Sequence, residues 1–108
     1  MEKIIVAYSQ DVQDYLDELI IPLFRKDYFS FEENAIEYVQ RLSEYINHNI
    51  HKLPHKKTPE KLRKHGDFYV FYKSNKRTTW YFLFNKKGNK YLIKYITNNH
   101  NFDSNYFG

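Results

Sequence analysis

Cations and phenols recur through the second half of this chain at a spacing suited to a polyanion. Lys73 follows Tyr69 and Phe71 at every second position, and Lys94 is flanked in the same way by Leu92 and Ile96. Alternate side chains of an extended strand share a face. These sets therefore predict a cationic, tyrosine-bearing surface, with lysines for phosphates and rings for stacking on the bases of single-stranded nucleic acid. Tyr and Phe are also good strand formers, so the cations carry more of this inference than the rings. A second concentration of charge lies in residues 51–66, HKLPHKKTPEKLRKHG, where Lys52, Lys56, Lys57, Lys61, Arg63 and Lys64 stand against one acid, Glu60. Such cations suit an RNA backbone or an acidic protein segment, and they tighten a complex without reading sequence.

His48, His51 and His55 have a spacing that could gather a metal ion on one helical face. Pro54 breaks that face, however, and no carboxylate or thiolate completes the set. They read instead as polar residues near a helix C-terminus, where a histidine also favours the dipole. A Gly-rich phosphate loop, a nucleophile elbow and an HExxH pair are all missing, so no metal and no cofactor is expected.

The elements that must position these residues follow from periodicity. Residues 3–8 form a β-branched run that reads as a strand, and Ser9 after it is a good N-cap. Val12, Tyr15, Leu16, Leu19, Ile20, Leu23 and Phe24 recur at three and four, giving one apolar face of a helix that Pro22 should end or kink near Ile21. Ser30 and Glu33 make a capping box, so a second helix begins at about Phe31. Its stripe of Ile36, Val39, Leu42, Ile46 and Ile50 runs to roughly His51. In the basic linker, Thr58 and Pro59 read as N-cap and first helical residue of a single turn over residues 59–64. Strands are expected over residues 68–74, 77–86 and 90–98, separated by Ser74-Asn75-Lys76 and Lys87-Gly88-Asn89. Residues 99–108 have too little pattern to assign. In the third strand Trp80, Phe82 and Phe84 should face the helices, with Thr79, Tyr81, Leu83 and Asn85 opposite.

The chain of 108 residues fits one domain spanning 1–108. Without cysteine it has neither disulfides nor thiolate metal sites. It shows no apolar stretch long enough to span a bilayer and no signal peptide, so a soluble cytoplasmic protein is expected. The formal charge of +4 conceals an asymmetry. Residues 1–50 hold four cations and ten acids, net −6, whereas residues 51–108 hold thirteen cations and three acids, net +10. The basic half points to a polyanion or an acidic partner.

The element order, the basic charge and the stretch GDFYVFYKSNKRTTWYFLFNKKGNKYLIKYITNNH over residues 66–100 resemble the RelE/ParE superfamily of toxins from bacterial type II toxin–antitoxin systems, along nearly the whole chain. The resemblance implies an α+β domain: an N-terminal strand, an antiparallel helical hairpin, and a three-stranded antiparallel meander completing a curved sheet. It also implies a cognate antitoxin and one of two targets. The RelE branch cleaves mRNA in the ribosomal A site, whereas the ParE branch poisons DNA gyrase. A third reading is a degenerate toxin kept as a non-catalytic RNA-binding or antitoxin-binding module.

Attack by a 2′-hydroxyl requires a base, cations for the charge building on the phosphorane, and an acid for the leaving 5′-oxygen. By resemblance, Arg77 is the transition-state stabiliser and His100 the acid or base. Lys73, Tyr81 and Lys94 support them, and Tyr95 or Tyr106 can supply a phenol. Lys56, Lys57, Lys61, Arg63, Lys64 and Lys94 are the RNA-binding candidates. The chain departs from the family where members carry mid-strand cations: it has Tyr69 and Phe71 in one strand and Thr78 or Thr79 in the next.

Overall fold

Ser9 turns the chain from its first strand into its first helix. Its Oγ accepts a hydrogen bond from the Val12 amide at 3.3 Å, and its carbonyl accepts one from the Gln13 amide at 3.0 Å. The expected N-cap is therefore in place. The Ser9 amide donates to the Ile93 carbonyl at 2.9 Å and ties this junction to the last strand. The structure, a computed structural model, describes residues 3–25, 32–74, 78–99 and 107, and of residues 19–25 and 32–35 the backbone.

The elements are β1 (Ile5–Tyr8), α1 (Gln10–Arg25), α2 (Glu32–Asn49), β2 (Lys56–Lys57), a 3-10 helix (Glu60–His65), β3 (Phe68–Lys73), β4 (Thr79–Lys87) and β5 (Lys90–Asn98). They form a mixed α+β fold with a five-stranded sheet in the order β1-β5-β4-β3-β2. β1 runs parallel to β5 and the other neighbours are antiparallel.

Of the two outcomes expected at Pro22, an end to the helix is not what occurs: α1 continues through it to Arg25, because a proline removes one donor and the remaining bonds of the last turn can hold the backbone. Three expectations need correction. The sheet gains β2, a two-residue edge strand between Pro54 and Pro59, too short and too charged to show a period. Thr58 is not a side-chain cap: Pro59 occupies the cap position without a side-chain bond, and the Thr58 hydroxyl is buried with no hydrogen-bond partner. Ile36 remains exposed, although Val39, Leu42, Ile46 and Ile50 are buried as the helical stripe requires. The Ser30–Glu33 box includes residues outside those described.

The main core lies between the helices and one sheet face. Val12 and Leu16 of α1 and Val39, Leu42 and Ile46 of α2 meet Val70, Trp80, Phe82, Phe84, Tyr91, Ile93 and Ile96. Trp80, Phe82 and Phe84 thus face the helices as parity demands. Polar and aromatic contacts hold α2 in place. Trp80 Nε1 donates to the Tyr38 hydroxyl at 2.8 Å, that hydroxyl lies 2.7 Å from Ser74 Oγ, and Tyr45 stacks on Tyr72 at 4.0 Å.

The opposite face carries a smaller cluster, in which buried Leu62, Tyr69 and Leu83 are packed by Tyr81, Tyr95 and Phe107. The 3-10 helix reaches this face through Leu62. Gly66 then lets the chain enter β3 at a φ of 150°, where an added Cβ would stand 2.7 Å from the Phe84 amide nitrogen.

Candidate nucleic-acid interface

The sheet face turned away from the helices is built by strand parity. Tyr69, Phe71 and Lys73 alternate along β3. Register sets Tyr69 against Leu83, Phe71 against Tyr81 and Lys73 against Thr79, and β5 adds Tyr95 opposite Leu83 and Thr97 opposite Tyr81. Partners directly across a ladder share a face, so Tyr69, Phe71, Lys73, Thr79, Tyr81, Leu83, Tyr95 and Thr97 belong to one surface. Lys56 of β2 joins it opposite Tyr69, and its Nζ lies 5.2 Å from the Phe71 ring centre, within cation–π range. Phe71 is 43% exposed.

The rings of this face are in mutual contact. Tyr69 and Tyr81 lie 6.1 Å apart and tilted. Phe107 stacks on Tyr81 at 4.2 Å, inclined by 7°, and meets Tyr69 edge-on at 4.7 Å. Burial first, and then the charge of Tyr81, push the Tyr69 phenol upward in pKa. At neutral pH it is therefore an uncharged O–H donor.

Lys94 departs from the expected parity. β4 and β5 slip between Leu83 and Phe84: Leu83 pairs with Tyr95 but Phe84 pairs with Ile93, leaving Lys94 as the extra residue of a bulge. Ile93 and Ile96 consequently both enter the main core, so Lys94 does not share a face with both Leu92 and Ile96. Instead it lines a cavity of about 380 Å³ with Asp11, Val12, Tyr15, His65, Tyr95 and Ile96. His65, at the end of the 3-10 helix, stacks on Tyr95 at 4.2 Å and 16°. Unlike His48, His51 and His55, His65 shows no metal-like spacing in the sequence, and its place beside Gly66 at the end of the basic run is its only signal.

The linker cations are divided by the fold. Lys57 is opposite Phe68, which packs against the helix-side core, so Lys57 and Lys56 point to different faces. Arg63 Nε donates to the Thr58 carbonyl at 3.2 Å and, with Lys57, Asp67 and Phe68, borders a shallow pocket of about 270 Å³. Lys61 and Lys64 lie exposed on the 3-10 helix. His55 is turned inward, with Nε2 2.8 Å from the Ile50 carbonyl and its ring against Phe84 and Tyr91, so its ring is committed to the core rather than to a helical metal face.

Arg77, His100 and Tyr106 lie outside the described residues. At the end of the sheet, the Thr79 amide donates to Asn99 Oδ1 at 3.0 Å and the Asn99 amide donates to the Thr79 carbonyl at 3.1 Å. No described helix is long and apolar enough to cross a membrane. Comparison with protein-family models, with curated proteins and with solved structures found no match for this chain.

Proposed function

We propose that this protein is the toxin of a type II toxin–antitoxin system, with a RelE/ParE-like domain that cleaves mRNA on the ribosome without a metal ion. The observation that carries the reading is the single sheet face on which Tyr69, Phe71, Lys73 and Tyr81 stand together, with Lys56 over Phe71. Cations on such a face engage the phosphates of an unpaired strand and rings engage its bases. Cleavage then proceeds by attack of the 2′-hydroxyl on the adjacent phosphorus as the 5′-oxygen leaves. Arg77 and Lys73 stabilise the phosphorane, His100 either takes the 2′-hydroxyl proton or gives one to the leaving 5′-oxygen, and Tyr81 or Tyr95 supplies a phenolic hydrogen bond. A cognate antitoxin covers the basic half, and the site of action is the cytoplasm.

Inducible expression followed by mapping of mRNA 5′ ends tests this. Cuts within codons that disappear in Arg77→Ala and His100→Ala are the expected result. Growth arrest with DNA damage and intact message would instead identify a gyrase inhibitor, and no growth effect would sink both toxin readings.

A non-catalytic RNA-binding or antitoxin-binding module is favoured by one observation. The positions where the family carries cations hold Tyr69, Phe71 and Thr78 or Thr79, and Tyr69 is only 8% exposed. RNA binding without cleavage in the same experiment would select this second reading.

A further inference from the structure

Tyr81 and Tyr69 form an angled seat already shaped around a flat ring. The floor is Tyr81, on which Phe107 lies at 4.2 Å and 7°. The wall is Tyr69, which Phe107 meets at 4.7 Å and 66°. Behind them are the buried side chains of Leu62 and Leu83. An aromatic ring held by one parallel and one edge contact gains from both the stack and the complementary quadrupoles.

The surroundings specify what else the seat would accept. Among the described strand residues of this face there is no carboxylate, while Lys73 follows on β3 and Lys56 lies over Phe71 next to the seat. A neutral ring carried on an anionic backbone matches both properties, whereas an aromatic side chain of a peptide uses only the first. Every nucleobase has a π-face, so a stacking seat binds without strong sequence choice.

We propose that the Tyr69–Tyr81 seat is a nucleobase subsite for single-stranded RNA, and that Phe107 is an intramolecular occupant that the base displaces. The proposal rests on the RNA-facing reading of this sheet and adds the subsite and its competitor. Because the chain's own ring holds the seat, the intact protein binds free RNA below the capacity of its surface.

The test is fluorescence anisotropy with labelled short oligoadenylate and oligouridylate on the full chain, without ribosomes, and with thermal melting of each variant alongside. Phe107→Leu fills much of the same space but cannot stack, and should tighten binding of both oligonucleotides by about tenfold, the value of one base–aromatic stack. Phe107→Trp should weaken it, and adding Tyr81→Ala to Phe107→Leu should remove the gain.

Unchanged or weaker binding by a Phe107→Leu chain that still melts cooperatively would overturn the proposal. Binding only of an aromatic-bearing peptide would do the same, as would no RNA binding by any variant. If Phe107→Leu fails to fold, the Phe107→Trp comparison decides: affinity equal to that of the parent chain would count against the competition. Failure here is distinct from failure of the cleavage reading. Message that is cut by a chain whose RNA affinity is indifferent to Phe107 would sink the subsite alone, and RNA binding with intact message would sink cleavage alone.

Discussion

His65 stacks on Tyr95 with ring centres 4.2 Å apart and planes 16° from parallel, joining the last residue of the 3-10 helix to the bulged strand β5. This stack helps pin the basic helix to the sheet face that carries Tyr69 and Tyr81. His65→Ala should therefore cost about 1 kcal/mol of stability, the usual worth of an aromatic pair beyond its area. His65→Phe should recover most of it. Urea unfolding midpoints measure both, and equal loss in the two variants would show that the imidazole acts through its polar atoms instead.

The Gly66 backbone predicts a larger effect. At a φ of 150° its Cβ position lies 2.7 Å from the Phe84 nitrogen and 3.0 Å from the Leu83 carbonyl carbon, and backbone atoms of a central strand cannot move aside as a side-chain tip would. Gly66→Ala should destabilise by about 3 kcal/mol or more, from steric conflict added to an unfavourable φ. Gly88 also has a positive φ, 59°, but meets nothing within 4 Å of its Cβ position. Gly88→Ala should cost only about 1 kcal/mol. Thermal melting of the two variants checks the order.

These positions also show how far the sequence was legible. β5 runs over Lys90–Asn98 as its alternation and turn signal required, and Trp80, Phe82 and Phe84 took the helix side. Alternation is a local property, so it could be read directly. The bulge at Lys94 could not, because it arises from register against β4, and a slip of one residue leaves no mark on the strand's own pattern. β2 is defined by its partner β3 rather than by its two lysines. For the same reason the division of Lys56 from Lys57, and the meeting of His65 with Tyr95, depended on long-range pairing.

Thr58 is 1% exposed, and its hydroxyl has no hydrogen-bond partner. The backbone around it is bonded, since its amide donates to the Asp67 carbonyl at 3.0 Å. A buried unpaired hydroxyl costs free energy that an apolar group of the same shape avoids. Thr58→Val should therefore stabilise the chain by about 1 kcal/mol. A lower melting temperature for Thr58→Val would reveal a water or other partner on that oxygen.

Tyr8 governs part of the alkaline limb of stability. Its hydroxyl donates to Asn47 Oδ1 at 2.6 Å, and burial pushes its pKa up from 10.0 to about 12, with the Ser43 hydrogen bond a smaller opposing influence. The folded state holds this proton more tightly than the unfolded state. The contribution is thus complete below pH 10 and is lost as pH rises from 10 towards 12. Allowing for solvent screening at a half-buried group, the loss is about 1 kcal/mol. Tyr8→Phe should be less stable at neutral pH and lose less than the parent between those pH values, as denaturant midpoints would record. Parallel pH curves would remove Tyr8 from the alkaline transition.

Lys56 and Lys57 are adjacent in sequence, yet Lys56 pairs with Tyr69 and Lys57 with Phe68. If RNA lies on the face of Tyr69, Phe71 and Tyr81, only the first of the two lysines neutralises phosphate. Each phosphate contact on a single strand contributes about 0.7 to the slope of log affinity against log salt. Lys56→Ala and Lys73→Ala should each lower that slope by about 0.7, and together by about 1.4, if each makes one phosphate contact. Lys57→Ala, which removes the same charge from the opposite face, should leave the slope nearly unchanged. Oligonucleotide titrations over a range of salt concentrations separate the outcomes. Equal changes for Lys56→Ala and Lys57→Ala would mean that the strand runs along the β2 edge and reads the linker's net charge rather than the sheet face.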